Sequence, residues 1–82
     1  MKLPYDKELA REAIEGGFGK LVTKNGIIAQ VLNWDYKGNP PCYTMSAKVD
    51  GLEFCYTNAG RLFNYKEDDY DLHLEVPDDI LN

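Results

Sequence analysis

His73 is the one imidazole in the chain, and Asp71 and Glu75 stand two residues to either side of it. On a strand, that spacing puts two carboxylates and a ring nitrogen on one face, a set that could hold a divalent cation. An ordinary polar strand face accounts for the same pattern. Acid–base catalysis would further require a nucleophile and an orienting partner, and no such set accompanies His73. Gly16-Gly17-Phe18-Gly19-Lys20 has the composition of a phosphate loop. It lacks the Ser or Thr after the lysine, and it follows a helical pattern where a dinucleotide fingerprint would follow a strand. Cys42 and Cys55, without histidines at ligand spacing, are too few for zinc. These residues predict no enzyme, no cofactor and no metal.

The elements that must position these residues are short. The 82 residues form a single domain, 44% hydrophobic and 28% charged. No apolar run reaches the ~18 residues of a membrane span, and the first residues do not read as a signal peptide. Residues 6–15 predict a helix with Asp6 as N-cap, with Leu9, Ala10, Ala13 and Ile14 on one face, and with Gly16-Gly17 as the stop. The period then changes to two. Asn25-Gly26 predicts a two-residue hairpin turn that sets Gly19 by Leu32 and brings Gly17 toward Trp34. The second strand is apolar both ways, with Ile28, Leu32 and Trp34 opposed to Ile27, Ala29 and Val31, so a helix or a second subunit should cover its other face.

Asp50-Gly51 predicts a second hairpin. It sets Val49 against Leu52, Ala47 against Phe54 and Met45 against Tyr56 on an apolar face, and Lys48 against Glu53, Ser46 against Cys55 and Thr44 against Thr57 on the other. A slip of one residue would destroy both patterns. The same register puts Cys42 opposite Ala59, about 13 Å from Cys55 and beyond disulfide reach. Leu72, Leu74 and Val76 alternate in a last strand before Pro77. The expectation is a mainly β, α+β domain: a short N-terminal helix, then a five-stranded antiparallel SH3-like barrel or roll over residues 19–76, with an acidic segment at 66–82.

In that arrangement three loops meet at one rim. Gly17, Trp34, Tyr36, Lys37, Asn39, Tyr43, Asn58 and Arg61 would gather there. Aromatic faces and Arg61 could stack on a base, while cations and glycine N–H groups held a phosphate, so a small nucleotide-like ligand is expected. The alternative comes from charge. Residues 66–82 hold seven acids and one base, a charge of −6, and the remaining residues carry +1, giving the total of −5. That segment repels nucleic-acid phosphate and disfavours direct nucleic-acid binding. Glu67, Asp68, Asp69 and Asp71 could instead engage a basic protein surface, or simply be solvated.

Thr23-Lys24-Asn25-Gly26, Asp35-Tyr36-Lys37-Gly38-Asn39-Pro40, Tyr56-Thr57-Asn58-Ala59-Gly60-Arg61 and Asp69-Tyr70-Asp71-Leu72 together resemble a group of small phage and prophage proteins. Those proteins carry T-R-D-G, Y-T-x-x-G and D-Y-D-L turns; here Lys24-Asn25 replaces Arg-Asp. The resemblance covers residues 20–76 and brings no functional residues with it. It implies an accessory protein made in a bacterial cytoplasm. The expected function is non-catalytic: countering host defence by sequestering a nucleotide-like signal, with a homo-oligomer around the ligand. The alternative is an acidic inhibitor or adaptor for a host nucleic-acid-handling protein.

Overall fold

The computed structural model describes residues 1–38, 41–63 and 65–78. Asn39, named above as a ligand contact, and residues 79–82 of the acidic segment lie outside the described residues. Six strands and one helix follow in the order β1 (Lys2–Pro4), α1 (Lys7–Glu15), β2 (Lys20–Thr23), β3 (Ile28–Asn33), β4 (Tyr43–Val49), β5 (Leu52–Thr57) and β6 (Leu72–Glu75). They form one antiparallel sheet ordered β1-β6-β2-β3-β4-β5. The domain is therefore mainly β, as expected, but the described residues form six strands, not five. β1 and β5 remain as edges, so the sheet does not close into a barrel. β1 escaped the sequence pattern because it is three residues long and ends in Pro4, which a ladder tolerates only at an edge.

The helix forms where Asp6 and the glycines place it. The Asp6 carboxylate accepts the Leu9 N–H at 3.0 Å, and the Gly16 N–H donates to the Glu12 carbonyl at 2.9 Å. Its buried stripe is narrower than expected. Ala10 and Ala13 are fully buried, whereas Leu9 is 39% exposed. The small side chains let the helix lie close on the sheet. Beneath it, Leu21, Met45, Val49, Tyr56 and Leu74 are fully buried, each contributing about 2 kcal/mol of transfer free energy. The last strand alternates as read, with Leu72, Leu74 and Val76 inward.

Register separates the two hairpins. Around Asp50-Gly51 the pairs Val49–Leu52, Lys48–Glu53, Ala47–Phe54, Ser46–Cys55 and Met45–Tyr56 are those the alternation predicts. Asp50 at φ 50° and Gly51 at φ 79° make the two-residue turn. The agreement stops at a bulge between Tyr43 and Met45, where Tyr43, not Thr44, pairs with Thr57. Cys42 is accordingly shifted by one position from its expected place, and no disulfide joins it to Cys55.

The first hairpin is off by one throughout: Leu21 pairs with Ala29 and Val22 with Ile28. Only Gly26 has positive φ (89°), so Asn25 does not complete the primed turn that two-residue hairpins favour. The chain makes a three-residue loop instead. The Thr23 N–H donates to the Ile27 carbonyl at 2.8 Å and the Gly26 N–H to the Thr23 carbonyl at 2.9 Å. The Thr23 hydroxyl stabilises the loop by accepting the Ile27 N–H at 3.0 Å and bonding to Asn25. A second bulge, at Leu32, turns β3. Ile28 and Leu32 are 60% and 46% exposed, so within this chain the outer apolar side of β3 stays largely open.

Candidate functional site

The expected rim divides into three places. Gly17 lines a cavity of about 360 Å³ with Phe18, Lys20, Glu75, Val76 and Pro77. No phosphate cradle exists there, because the loop's donors are spent. The N–H groups of Gly16, Gly17, Phe18 and Gly19 donate to carbonyls of Glu12, Ile14 and Ala13, closing the helix C-terminus. Helix capping and anion binding compete for the same donors, and capping has them.

The aromatic residues are likewise committed to packing. Trp34 is partly buried against the core. The Tyr43 hydroxyl donates to the Leu62 carbonyl at 2.9 Å, tying β4 to the segment beyond β5. Tyr36 lies by Cys55, and hydrogen bonding to that thiol raises its pKa. Lys37 is exposed. Trp34, Tyr36, Lys37 and Tyr43 line neither the cavity at Gly17 nor the one at Arg61.

Asn58 and Arg61 do come together, in a cavity of about 300 Å³ lined also by Pro41, Cys42, Thr44, Thr57 and Ala59. The turn between them explains how. The Thr57 N–H donates to the Arg61 carbonyl at 3.0 Å, and the Gly60 N–H to the Thr57 carbonyl at 2.9 Å. The Thr57 hydroxyl accepts the N–H groups of Ala59 and Arg61 at 3.3 and 3.2 Å. Gly60 takes φ 73°, and its Cα presses on the Tyr5 ring so closely that a Cβ there would lie 2.5 Å from the ring. Across the bulge, the Thr44 hydroxyl donates to the Asn58 side-chain oxygen at 2.7 Å, which leaves the Asn58 NH₂ to offer a ligand.

The polar atoms left over are informative. Among the described residues, two buried side-chain polar atoms lack a hydrogen-bond partner: the Arg61 Nε and the Tyr5 hydroxyl. Orphaned buried donors cost ~1–3 kcal/mol each, so native structures rarely keep them without use. Arg61 lines the cavity just described. Tyr5 lines an adjoining one of about 560 Å³ with Asp6, Lys7, Glu8 and, shared by both, Asn58. Burial, reinforced by the Asp6 carboxylate, pushes the Tyr5 pKa up to about 12, so its hydroxyl stays neutral. Lys7 sits between the cavities, its Nζ 3.5 Å from the Thr44 carbonyl and 4.0 Å from the Asp35 carboxylate.

Tyr5, Lys7, Glu8 and Thr44 were absent from the residues expected at the rim. β1 brings the helix start beside the 57–61 turn, and the sequence pattern did not show that pairing. Thr44 carried a signal, since a polar residue beside a turn-proximal Asn is a plausible partner, but the bulge that frees it has no local mark.

The acidic segment is not a uniform charged face. Asp71 is buried, and its carboxylate accepts the N–H of Leu62 at 2.9 Å and of Asp68 at 3.0 Å. Asp68 accepts the Tyr70 N–H at 2.9 Å in a local turn. Exposed Glu67 lies 3.4 Å from the Lys24 ammonium. Asp69 is exposed, and its carbonyl accepts the Asn25 N–H at 3.2 Å. His73 meets Glu75 at 3.4 Å, while Asp71 turns to backbone donors; no three-ligand metal cluster occurs among the described residues. Among them, too, no helix is long and apolar enough to cross a membrane. In comparisons with protein-family models, with curated proteins and with solved structures, nothing matches this chain.

Proposed function

We propose that this chain is a non-catalytic binding protein whose ligand is a small phosphate-bearing, nucleotide-like molecule held at the Arg61 cavity. One observation carries the reading: Arg61, whose guanidinium has a buried nitrogen without a partner, lines a cavity that also offers the Asn58 NH₂. A guanidinium beside the free NH₂ of Asn58 suits a tetrahedral oxyanion, and charge-assisted hydrogen bonds to it are the strong ones. The volume falls in the ~300–1,000 Å³ range of small-molecule sites. With Trp34 and Tyr43 packed elsewhere, base stacking plays a smaller part than the sequence suggested.

In this reading the protein acts by sequestration, as a phage-type accessory protein removing a host defence signal. The acidic-adaptor alternative is the weaker one, because Asp71 and Asp68 are committed to backbone donors, leaving fewer carboxylates for a partner. Calorimetry with a panel of linear and cyclic nucleotides tests the proposal. At least one should bind in the micromolar range, and Arg61→Gln should weaken it tenfold or more. The proposal fails if no member of the panel binds more tightly than millimolar.

A further inference from the structure

The second cavity carries the ligand question further. It shares Asn58 with the Arg61 cavity and is lined by Tyr5, whose buried hydroxyl is the other orphaned polar atom. Its charged groups differ in sign from those of its neighbour. Asp6 and Glu8 contribute two carboxylates, and Lys7, their cation, is engaged with Thr44 and Asp35. Such a place repels a second phosphate. It suits groups that donate hydrogen bonds without carrying negative charge. Carboxylates accept bonds from vicinal sugar hydroxyls well, as the acidic residue of dinucleotide sites does for ribose. One oxygen of Asp6 caps the helix by accepting the Leu9 N–H, and its other oxygen is left for this purpose. The neutral Tyr5 hydroxyl can both donate to and accept from an alcohol.

From this juxtaposition we infer that the site reads a phosphorylated sugar, with the phosphate at Arg61 and Asn58 and the sugar hydroxyls at Asp6, Glu8 and Tyr5. This rests on the anion site proposed above and adds what the ligand must carry beside its phosphate. The base becomes the dispensable part of a nucleotide, and its ribose the selected part.

Calorimetry on the full chain with inorganic phosphate, ribose 5-phosphate and 2-deoxyribose 5-phosphate separates the two claims. Ribose 5-phosphate should bind at least tenfold more tightly than phosphate, and loss of the 2-hydroxyl should return most of that gain. Glu8→Gln, on the exposed first turn of α1, should remove the preference for ribose 5-phosphate over phosphate. Tyr5→Phe should reduce the preference in the same way. If ribose 5-phosphate and phosphate bind equally and both depend on Arg61, the sugar inference is overturned and the anion site stands. If neither depends on Arg61, the anion site itself falls, and the inference with it.

Discussion

Thr23-Lys24-Asn25-Gly26-Ile27 and Thr57-Asn58-Ala59-Gly60-Arg61 are the same turn built twice. In each, the threonine N–H reaches the carbonyl four residues on, the glycine N–H returns to the threonine carbonyl, and the threonine hydroxyl accepts the last N–H. Both lean on one residue. The Asp71 carbonyl accepts the Lys24 N–H at 3.0 Å, and the Asp71 carboxylate holds Leu62, just past the second turn. What differs is what remains unspent. In the first turn, Asn25 bonds to Thr23, Lys24 pairs with Glu67, and Gly26 faces open space. In the second, Gly60 is pressed on Tyr5, and Arg61 and Tyr5 keep polar atoms without partners. Identical backbone chemistry thus serves closure at one place and, at the other, leaves polar atoms unspent where we propose the binding site. The difference lies in the residue after the glycine and in what packs above it.

The comparison breaks most readily at Asp71. Asp71→Ala leaves the N–H groups of Leu62 and Asp68 without their acceptor and unmoors the second turn, while the backbone carbonyl that holds Lys24 at the first turn remains. It should cost about 4 kcal/mol in urea denaturation, a large part of what a domain this small has to lose. A loss under ~1 kcal/mol would mean that the second turn does not depend on the Asp71 carboxylate. Next come the glycines. Gly60→Ala adds a methyl against the Tyr5 ring at positive φ and should cost about 3 kcal/mol, whereas Gly26→Ala, with room around it, should cost about 1 kcal/mol. Equal losses would dissolve the distinction between the turns.

Alkaline titration is a smaller probe. Tyr5 is neutral in the folded chain, and its folded pKa of about 12 lies above the unfolded value. Its contribution is therefore complete below the unfolded pKa of ~10 and is lost as pH rises through the folded one. Burial also raises Tyr56, whose hydroxyl donates to the Tyr70 carbonyl at 2.9 Å. Stability should fall between about pH 10 and 12. Tyr5→Phe should flatten part of that fall; an unchanged slope would place Tyr5 outside the titration. Smallest of all is Arg61→Gln. Its orphaned nitrogen costs stability in the free protein, so its removal should leave stability to thermal unfolding unchanged or raise it slightly, by up to ~1 kcal/mol, even as binding is lost.

How much of this was legible follows from where the information sits. The 49–52 hairpin was readable because alternation, turn residues and cross-strand charges all agree on one register. The Asn25-Gly26 hairpin was misread by one residue because the dipeptide is compatible with two turns. The choice between them was made by the Thr23 hydroxyl and by contacts from Asp69 and Asp71, nearly fifty residues away. Asn58 and Arg61 were expected side by side, and do share a cavity, because they border a turn that sequence does mark. Tyr5 and Glu8 were not, since they reach the site only through the pairing of β1 with β6. Asp71 shows the converse error. Counted as one acid among seven, it is the buried acceptor that orders its neighbours.

An amide NMR titration of the isotopically labelled chain with ribose 5-phosphate tests the central claim most directly. Saturating shifts should cluster at Thr44, at Thr57 through Arg61 and at Tyr5 through Glu8, with Thr23 through Ile27 unmoved. Shifts centred on the 23–27 turn or on Gly16 through Gly19, or no shifts at millimolar probe, would contradict it.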